Sequence, residues 1–292
     1  MLTPGPANAS YLTLAFLDEL KSLGYVEGQN ISIERRFAEG NLARMPALAA
    51  ELVQQRVELI IAATVSAAQA AKDATTTIPI VFWGVGDPVR SGLVTSLARP
   101  GGNLTGTSRI NPDVAAKRLQ LLKEIDPKIS RTAVLDTPVP YLDNQLMEIG
   151  RAAKILGIEI LGGRVEKQAD WAEEETRLRK WRADSIYVVE TPANFFNRHL
   201  LVDFTLALRL PAIFGSREYI ESRGLMCYGE SLERDARRAA IYADKILKGA
   251  NPGLLPVEQP TVFELIVNLR TARTLGITVP QSVLLRADSV LD

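Results

Sequence analysis

The segment Val57–Val89, VELIIAATVSAAQAAKDATTTIPIVFWGVGDPV, contains two short apolar runs, Val57–Ala62 and Ile78–Trp83. Both runs are rich in apolar β-branched residues and show no polar alternation, which is typical of strands covered on both faces of a parallel sheet. Ser66–Ala74 lies between them and is predicted to be a helix. The segment therefore predicts a strand–helix–strand unit of an α/β fold.

Strands and helices continue to alternate on both sides of this segment, with an interruption at the extended connector Pro100–Gly106. Before the connector, the pattern predicts a strand at Ile31–Arg36 and helices at Tyr11–Leu23, Leu42–Arg56 and Ser91–Leu97. After it, helices are predicted at Ala115–Ile125, Asn144–Leu156, Trp171–Trp181, Arg198–Leu208 and Leu232–Leu247, and strands at Thr132–Leu135, Glu159–Leu161, Ser185–Val189, Ala212–Phe214, Leu225–Tyr228 and Phe263–Asn268. The repeated rhythm predicts two mostly parallel, doubly wound sheets, each in a lobe of its own.

The composition of the chain argues against several classes of function and of structural site. With 292 residues the chain is longer than one core usually holds, and Lys+Arg and Asp+Glu both number 34, so the net charge is zero. Nothing in this balance suggests a general affinity for nucleic acid or for anionic membranes. Because the chain has one cysteine and one histidine, an internal disulfide and a Cys/His zinc site are excluded. No apolar run reaches the roughly 18–20 residues that cross a bilayer, and the first ten residues lack the pattern of a signal peptide.

The loops after the strands of the first half offer two candidate binding groups, because ligands of open α/β sheets bind outside the carboxyl ends of the strands. Thr64, Ser66 and Ala67 stand at a predicted helix start, where free backbone N–H groups and the helix dipole suit a carboxylate. Plain capping by Thr64 or Ser66 is the alternative. Asp87 is expected first to cap the predicted helix at Ser91, and second to meet a ligand ammonium.

The second half carries acids, amides, hydroxyls and aromatics after its predicted strands, at Asp136–Pro138, Glu190–Phe196 and Phe214–Glu218. Such a mixture suits a zwitterionic or aromatic small molecule. Packing in a core is the alternative for Phe195 or Phe196. The sequence contains no nucleophile elbow, Walker A loop or dinucleotide fingerprint.

Several short segments occur in an order that is specific as a set: Gly24–Asn30, Arg44–Ala49, Ile78–Phe82, Gly86–Val89, Pro100–Gly106, Gly224–Met226, Ile246–Gly249, Leu255–Val257 and Phe263–Leu269. In this respect the chain resembles the ABC-transporter substrate-binding proteins related to the tryptophan/tyrosine uptake receptors, over nearly its whole length. The chain departs from that pattern at Cys227, where a serine is usual, and at Asp136–Val139, where an Asn-Pro-rich loop is usual.

The resemblance implies a type I periplasmic binding protein, with two Rossmann-like lobes joined by a three-segment hinge. Residues 1–107 and 230–256 would form the N-terminal lobe, and residues 108–229 and 257–292 the C-terminal lobe. A ligand would be trapped between the lobes by hinge closure. Carried over to this chain, the ligand-facing positions are Pro6, Asn8, Thr64, Ser66, Ala67, Trp83, Gly84, Asp87, Asp136, Tyr141, Glu190, Thr191, Asn194, Phe195, Phe214, Glu218 and Tyr228.

The implied function is that of the solute-binding component of an ABC importer, which binds an amino acid or an aromatic acid and has no enzymatic activity. We expect a monomer in the periplasm that delivers its ligand to an inner-membrane permease and needs no cofactor, metal or nucleic acid. Two alternatives stay open at this point. One is a two-lobed Rossmann-like enzyme of the sugar-nucleotide transferase type, and the other is a cytoplasmic small-molecule sensor.

Overall fold

The computed structural model of the chain describes residues 1–5, 11–109, 112–137, 142–165 and 167–292. The chain divides into two compact units. Unit 1 consists of Met1–Ile110 and Leu232–Thr261, and unit 2 consists of Asn111–Ser231 and Val262–Asp292. The sequence therefore alternates between the units, and each unit is assembled from two separate segments of chain.

The elements are numbered in chain order. The strands are β1 (Leu2–Thr3), β2 (Arg36–Phe37), β3 (Ile60–Ala63), β4 (Ile80–Val85), β5 (Leu104–Ser108), β6 (Arg131–Leu135), β7 (Glu159–Gly163), β8 (Ser185–Val188), β9 (Ala212–Phe214), β10 (Met226–Glu230), β11 (Phe263–Asn268) and β12 (Ser289–Leu291). The α-helices are α1 (Tyr11–Ser22), α2 (Met45–Gln54), α3 (Val65–Ala74), α4 (Pro112–Ile125), α5 (Leu142–Leu156), α6 (Trp171–Trp181), α7 (Pro192–Phe196), α8 (Arg198–Leu208), α9 (Arg217–Glu221), α10 (Leu232–Leu247), α11 (Leu269–Leu275) and α12 (Gln281–Leu284).

Unit 1 contains a parallel sheet with the strand order β2-β1-β3-β4-β5. Its two faces are both covered. Ile60 and Phe82 pack with residues of α2 and α3 on one face, whereas Ile61 and Val81 pack with residues of α1 and α10 on the other. Because successive side chains of a strand point to opposite faces, two covered faces require an apolar side chain at every position. This explains the absence of polar alternation in β3 and β4.

Unit 2 contains a sheet with the order β12-β11-β10-β9-β8-β6-β7. Its pairs are parallel except for β10 with β11, which run antiparallel. Val134 and Tyr187 pack with α4 and α5 on one face, and Leu135 and Val188 pack with α8 on the other. Both units are thus α/β with parallel-dominated sheets, and the predicted fold class is confirmed.

Five elements are confirmed residue for residue: the helices Trp171–Trp181, Arg198–Leu208 and Leu232–Leu247, and the strands Ala212–Phe214 and Phe263–Asn268. The predicted helix Ser91–Leu97 is wrong: this segment forms turns, in which Pro88 O accepts hydrogen bonds from two backbone N–H groups and Gly92 has a φ of 68°.

The predicted strand Ile31–Arg36 is also wrong. The strand in this region is Arg36–Phe37. It is this short because the strand with which it pairs, β1, has two residues. At the other end of the chain, β12 adds a parallel strand beside β11. Among the described helices, none has the length and apolar composition needed to cross a bilayer.

Candidate functional site

The start of α3 in unit 1 has an unusual backbone. Thr64, the residue before the helix, has φ 85° and ψ 165°, a region that residues other than glycine rarely adopt. Its side chain makes no capping bond to the helix; instead its hydroxyl is 3.0 Å from the hydroxyl of Ser66. Capping by Thr64, one of the two alternatives at this position, is therefore not what the structure shows. The Thr64 side chain accepts no hydrogen bond from the first N–H groups of α3, and the positive end of the helix dipole lies here.

The end of β4 is held by groups from outside its own loop. Trp83 is 6% exposed and its ring packs on Phe16, with 5.3 Å between the ring centroids. Gly84, at φ 64°, donates its backbone N–H to Asp235 Oδ2 at 2.9 Å. Asp235 is a residue of α10, and burial raises the pKa of its carboxyl group. The sequence pattern gave no sign of Asp235, because it is 151 residues away from Gly84.

Asp87 has the role that its neighbours in sequence predict, although in a turn and not in a helix. Its Oδ1 accepts the backbone N–H groups of Val89 at 3.1 Å and of Arg90 at 2.9 Å. Its carboxylate is therefore already engaged within its own loop.

In unit 2, the ends of β6 and β8 are tied together by polar side chains. The hydroxyls of Thr137 and Thr191 are hydrogen-bonded to each other. Asn194 is 1% exposed and donates its side-chain amide to Leu135 O at 3.2 Å and to Val189 O at 2.9 Å. Thr191 also caps α7. Thr191 and Asn194 thus maintain the edge of the sheet through bonds that are already made.

Asp136 lies at the same edge, directly after β6. Its side chain is 12% exposed and lies 3.7 Å from the guanidinium of Arg164. Burial raises the pKa of Asp136, and the attraction of Arg164 opposes that rise.

Aromatic rings at the edge of unit 2 differ in how much surface they offer. Phe214 has no exposed surface and stacks on Tyr219 at 4.8 Å, so the structure places this ring in the core. Phe195 is half-buried, with the Arg198 guanidinium 5.2 Å from its ring centroid. Tyr228 is half-buried and stacks on Phe263.

Two further acids lie near the ends of β8 and β9. Glu190 is half-buried, and its side chain crosses the backbone of Gly215 so closely that a Cβ at Gly215 would lie 2.0 Å from Glu190 Cγ. Glu218 is 5% exposed, and burial raises its pKa to about 7. One oxygen of Glu218, Oε2, has no hydrogen-bond partner among the residues that the structure describes.

A buried arginine that the sequence did not single out completes this edge. Arg118, from α4, is 6% exposed, and its guanidinium donates to Tyr228 O at 2.6 Å. Arg118 and Tyr228 are 110 residues apart, so no local pattern links them.

Three of the predicted positions, Pro6, Asn8 and Tyr141, lie outside the described residues. Within the ranges that the structure describes, no group of three or more His, Cys, Asp and Glu side chains is arranged to hold a metal ion. The geometry is that of two strand-end surfaces, one in each unit, in which buried polar groups hold the loops in place.

The family model described as ABC transporter substrate binding protein matches residues 9–291. The chain belongs to this family. The resemblance inferred from the ordered segments is therefore confirmed, and the chain is the substrate-binding component of an ABC transporter.

This substrate-binding protein is similar to characterised relatives over most of its length. A tyrosine-binding protein of Clostridioides difficile (strain R20291) is 29% identical over 262 residues, which cover 89% of this chain and 75% of the relative. A conserved domain protein from Vibrio cholerae has a solved structure with a TM-score of 0.91 at 29% identity, covering 99% of this chain and 97% of that one. A domain from Streptococcus pneumoniae, solved in complex with L-Trp, has a TM-score of 0.89 at 25% identity, covering 99% and 98%.

Proposed function

We propose that this substrate-binding protein binds an aromatic L-amino acid and delivers it, outside the cytoplasm, to the permease of an ABC importer. The observation that carries the proposal is the similarity, over nearly the whole chain, to one relative named as tyrosine-binding and to another solved with L-Trp. An amino acid presents a carboxylate, an ammonium and a side chain, and the described residues offer a chemical counterpart for each.

Glu190 is the acid best suited to the ligand ammonium. Asp87 already accepts two backbone N–H groups, and Glu218 is almost fully buried. Glu190 is half-buried just after the end of β8, and one of its carboxylate oxygens, Oε1, is buried, so the carboxylate is partly shielded from water. Charge-assisted hydrogen bonds are strongest in such surroundings.

Half-buried rings suit the aromatic side chain of the ligand. Phe195 and Tyr228 belong to unit 2, as Glu190 does, and each is half-buried. Aromatic pairs in offset or edge-to-face geometry contribute about 0.5–1.5 kcal/mol beyond the burial of their area. A ligand ring that packs on one of these rings would be favoured over an aliphatic side chain of similar size.

The start of α3 suits the ligand carboxylate. Its first backbone N–H groups donate no hydrogen bond to the Thr64 side chain, and a helix N-terminus favours an anion. The backbone strain at Thr64 is consistent with a functional role, since strained residues concentrate at ligand-binding positions.

A thermal-shift screen followed by calorimetric titration tests the proposal. We expect L-tyrosine, L-tryptophan or L-phenylalanine to raise the melting temperature, because a ligand that binds the folded state stabilises it by about 2.7 kcal/mol at a hundred times its Kd. L-alanine is expected to have a smaller effect at the same concentration. Absence of any shift with all three aromatic amino acids would contradict the proposed ligand class.

A matched pair of variants tests the part assigned to Glu190. We expect Glu190→Gln to weaken binding of the aromatic amino acid by about tenfold or more, the usual scale for losing a charge-assisted hydrogen bond. Glu173→Gln, which removes an exposed acid in the first turn of α6, is the control and should leave the affinity unchanged. Equal affinities of the wild type and Glu190→Gln would remove Glu190 from the site.

A further inference from the structure

The guanidinium of Arg118 joins the ends of three neighbouring strands of unit 2. Nε donates to Tyr228 O in β10 at 2.6 Å, and Nη1 donates to the Tyr187 hydroxyl in β8 at 3.3 Å. Nη2 donates to Gly215 O, directly after β9, at 3.4 Å. A planar fork with donors in several fixed directions can bond to three separate acceptors, whereas a lysine ammonium on a flexible stem cannot hold the same arrangement.

The Arg118 guanidinium and the Glu190 side chain fit here because two neighbouring residues, Gly215 and Gly229, have no side chain. A Cβ at Gly229 would lie 1.8 Å from Gly215 O and 3.1 Å from Arg118 Nη2, and a Cβ at Gly215 would overlap the side chain of Glu190. The Gly215 backbone therefore has two neighbours. Its carbonyl oxygen accepts a bond from the Arg118 guanidinium, and the Glu190 side chain passes close to its Cα. The opposite charges of Arg118 and Glu190 attract each other.

A buried cation needs a reason to be retained. Removing a guanidinium from water costs several kcal/mol, and this cost is recovered only through well-placed acceptors and counter-charges. Two of the acceptors of Arg118 are backbone carbonyls, Tyr228 O in β10 and Gly215 O directly after β9. Arg118 provides a fixed positive charge near Glu190, and its three bonds fix the spacing of β8, β9 and β10.

We propose that Arg118 is a positioning residue for ligand binding that acts through Glu190. It holds the strand ends that carry Glu190 and Gly215 in register and supplies the counter-charge that keeps the carboxylate in place for the ligand ammonium. The inference rests on the proposed function, because it takes the ligand to carry an ammonium group.

The test compares ligands with and without that ammonium group. L-tyrosine is paired with hydroxyphenylpropionate and L-tryptophan with indolepropionate, and the Kd of each is measured by calorimetry. We expect Arg118→Gln to weaken binding of the amino acid by about tenfold or more and binding of the deaminated analogue by no more than about threefold. Arg118→Lys, which keeps the charge without the fork, should fall between the wild type and Arg118→Gln. Arg179→Gln, which breaks an exposed ion pair on α6, is the matched control and should change neither.

A double-mutant cycle separates a positioning role from a purely structural one. If Arg118 only stabilised the fold, the effects of Arg118→Gln and Glu190→Gln on affinity would be additive. In a Glu190→Gln background, Arg118→Gln should cost less than about threefold further in affinity for the amino acid, because the acid through which it acts is gone. Additive losses, or equal losses for the amino acid and its analogue, would overturn the proposal. If circular dichroism shows that Arg118→Gln does not fold, the same cycle is completed with Arg118→Lys.

The two proposals fail in different ways. A wild type that binds none of the aromatic amino acids contradicts the proposed ligand class. In that case the cycle is run with whichever ammonium-bearing amino acid raises the melting temperature most, so that the role of Arg118 is still decided. A wild type that binds an aromatic amino acid, with additive losses in the cycle, contradicts the positioning role alone.

Discussion

Replacing Thr64 by glycine should reveal how much strain is stored at the start of α3. Thr64 has φ 85° and ψ 165°, which a side chain with a Cβ adopts only under constraint and which glycine adopts freely. The informative comparison is between Thr64→Gly and Thr64→Ala. Both lose the hydroxyl that faces Ser66, but only the glycine variant also loses the Cβ that causes the strain.

The expected difference follows from two opposing contributions. Strain of this kind costs on the order of 1–3 kcal/mol, and glycine costs about 0.5–1 kcal/mol relative to alanine through its greater freedom in the unfolded chain. With the middle of each range, their difference predicts that Thr64→Gly is more stable than Thr64→Ala by about 1 kcal/mol. For a unit of this size, that corresponds to a difference in melting temperature of roughly 3–6 °C.

Urea unfolding followed by circular dichroism, together with calorimetric melting, measures this difference. Because two units can unfold separately, the transition that shifts must first be assigned to unit 1. A Thr64→Ala variant as stable as Thr64→Gly would refute the assignment of strain. If the strain serves ligand binding, the more stable Thr64→Gly variant should also bind the ligand more weakly, which titration of the same samples measures.

Three other changes have clear expected outcomes. Gly106→Ala should unfold unit 1 or lower its free energy of unfolding by more than about 3 kcal/mol, because the new Cβ would lie 1.9 Å from Phe82 O. Gly92 has open space around it, so Gly92→Ala should lower the free energy of unfolding by about 1 kcal/mol. Urea unfolding compares the two variants. Glu218, with its pKa raised to about 7, keeps a proton in the folded state that the unfolded state releases near pH 4.5. Stability should therefore fall by up to about 3 kcal/mol as the pH rises between these values, and the fall should be absent in Glu218→Gln. Asn194→Ala should cost about 2 kcal/mol in urea unfolding, since Val189 O and Leu135 O both lose the bond from the Asn194 amide and Leu135 O keeps the one from Val189 N–H.

The fold class was predictable because it depends on local patterns. Strands covered on both faces must be apolar throughout, so β3 and β4 are visible as short runs, and the helix Leu232–Leu247 is visible from its apolar periodicity. One of the errors came where strand pairing decides the structure. The length of β2 depends on how many residues β1 offers, and no property of Ile31–Arg36 itself reveals this.

The surroundings of the candidate residues were less predictable, because burial and long-range contacts determine them. Phe214 ends a strand and Phe195 follows one in the sequence, yet the first is fully buried and the second is half-buried. Arg118 and Asp235 lie in helices, where a charged residue usually indicates a solvated face. Their roles depend on acceptors and donors more than a hundred residues away.

The polar side chains at the strand ends of unit 2 have different surroundings, and this difference suggests that some stabilise the fold and others bind the ligand. Thr191 and Asn194 have their bonds within the protein, so replacing them should affect stability first and ligand affinity only through it. Glu190 rests on the Gly215 backbone beside a buried guanidinium, an arrangement that holds the carboxylate in place. Preorganised groups lose little entropy when a ligand binds. Thr191 and Asn194 are therefore assigned to the scaffold by their hydrogen bonds, whereas the proposed role of Glu190 in ligand binding rests on its fixed, half-buried position.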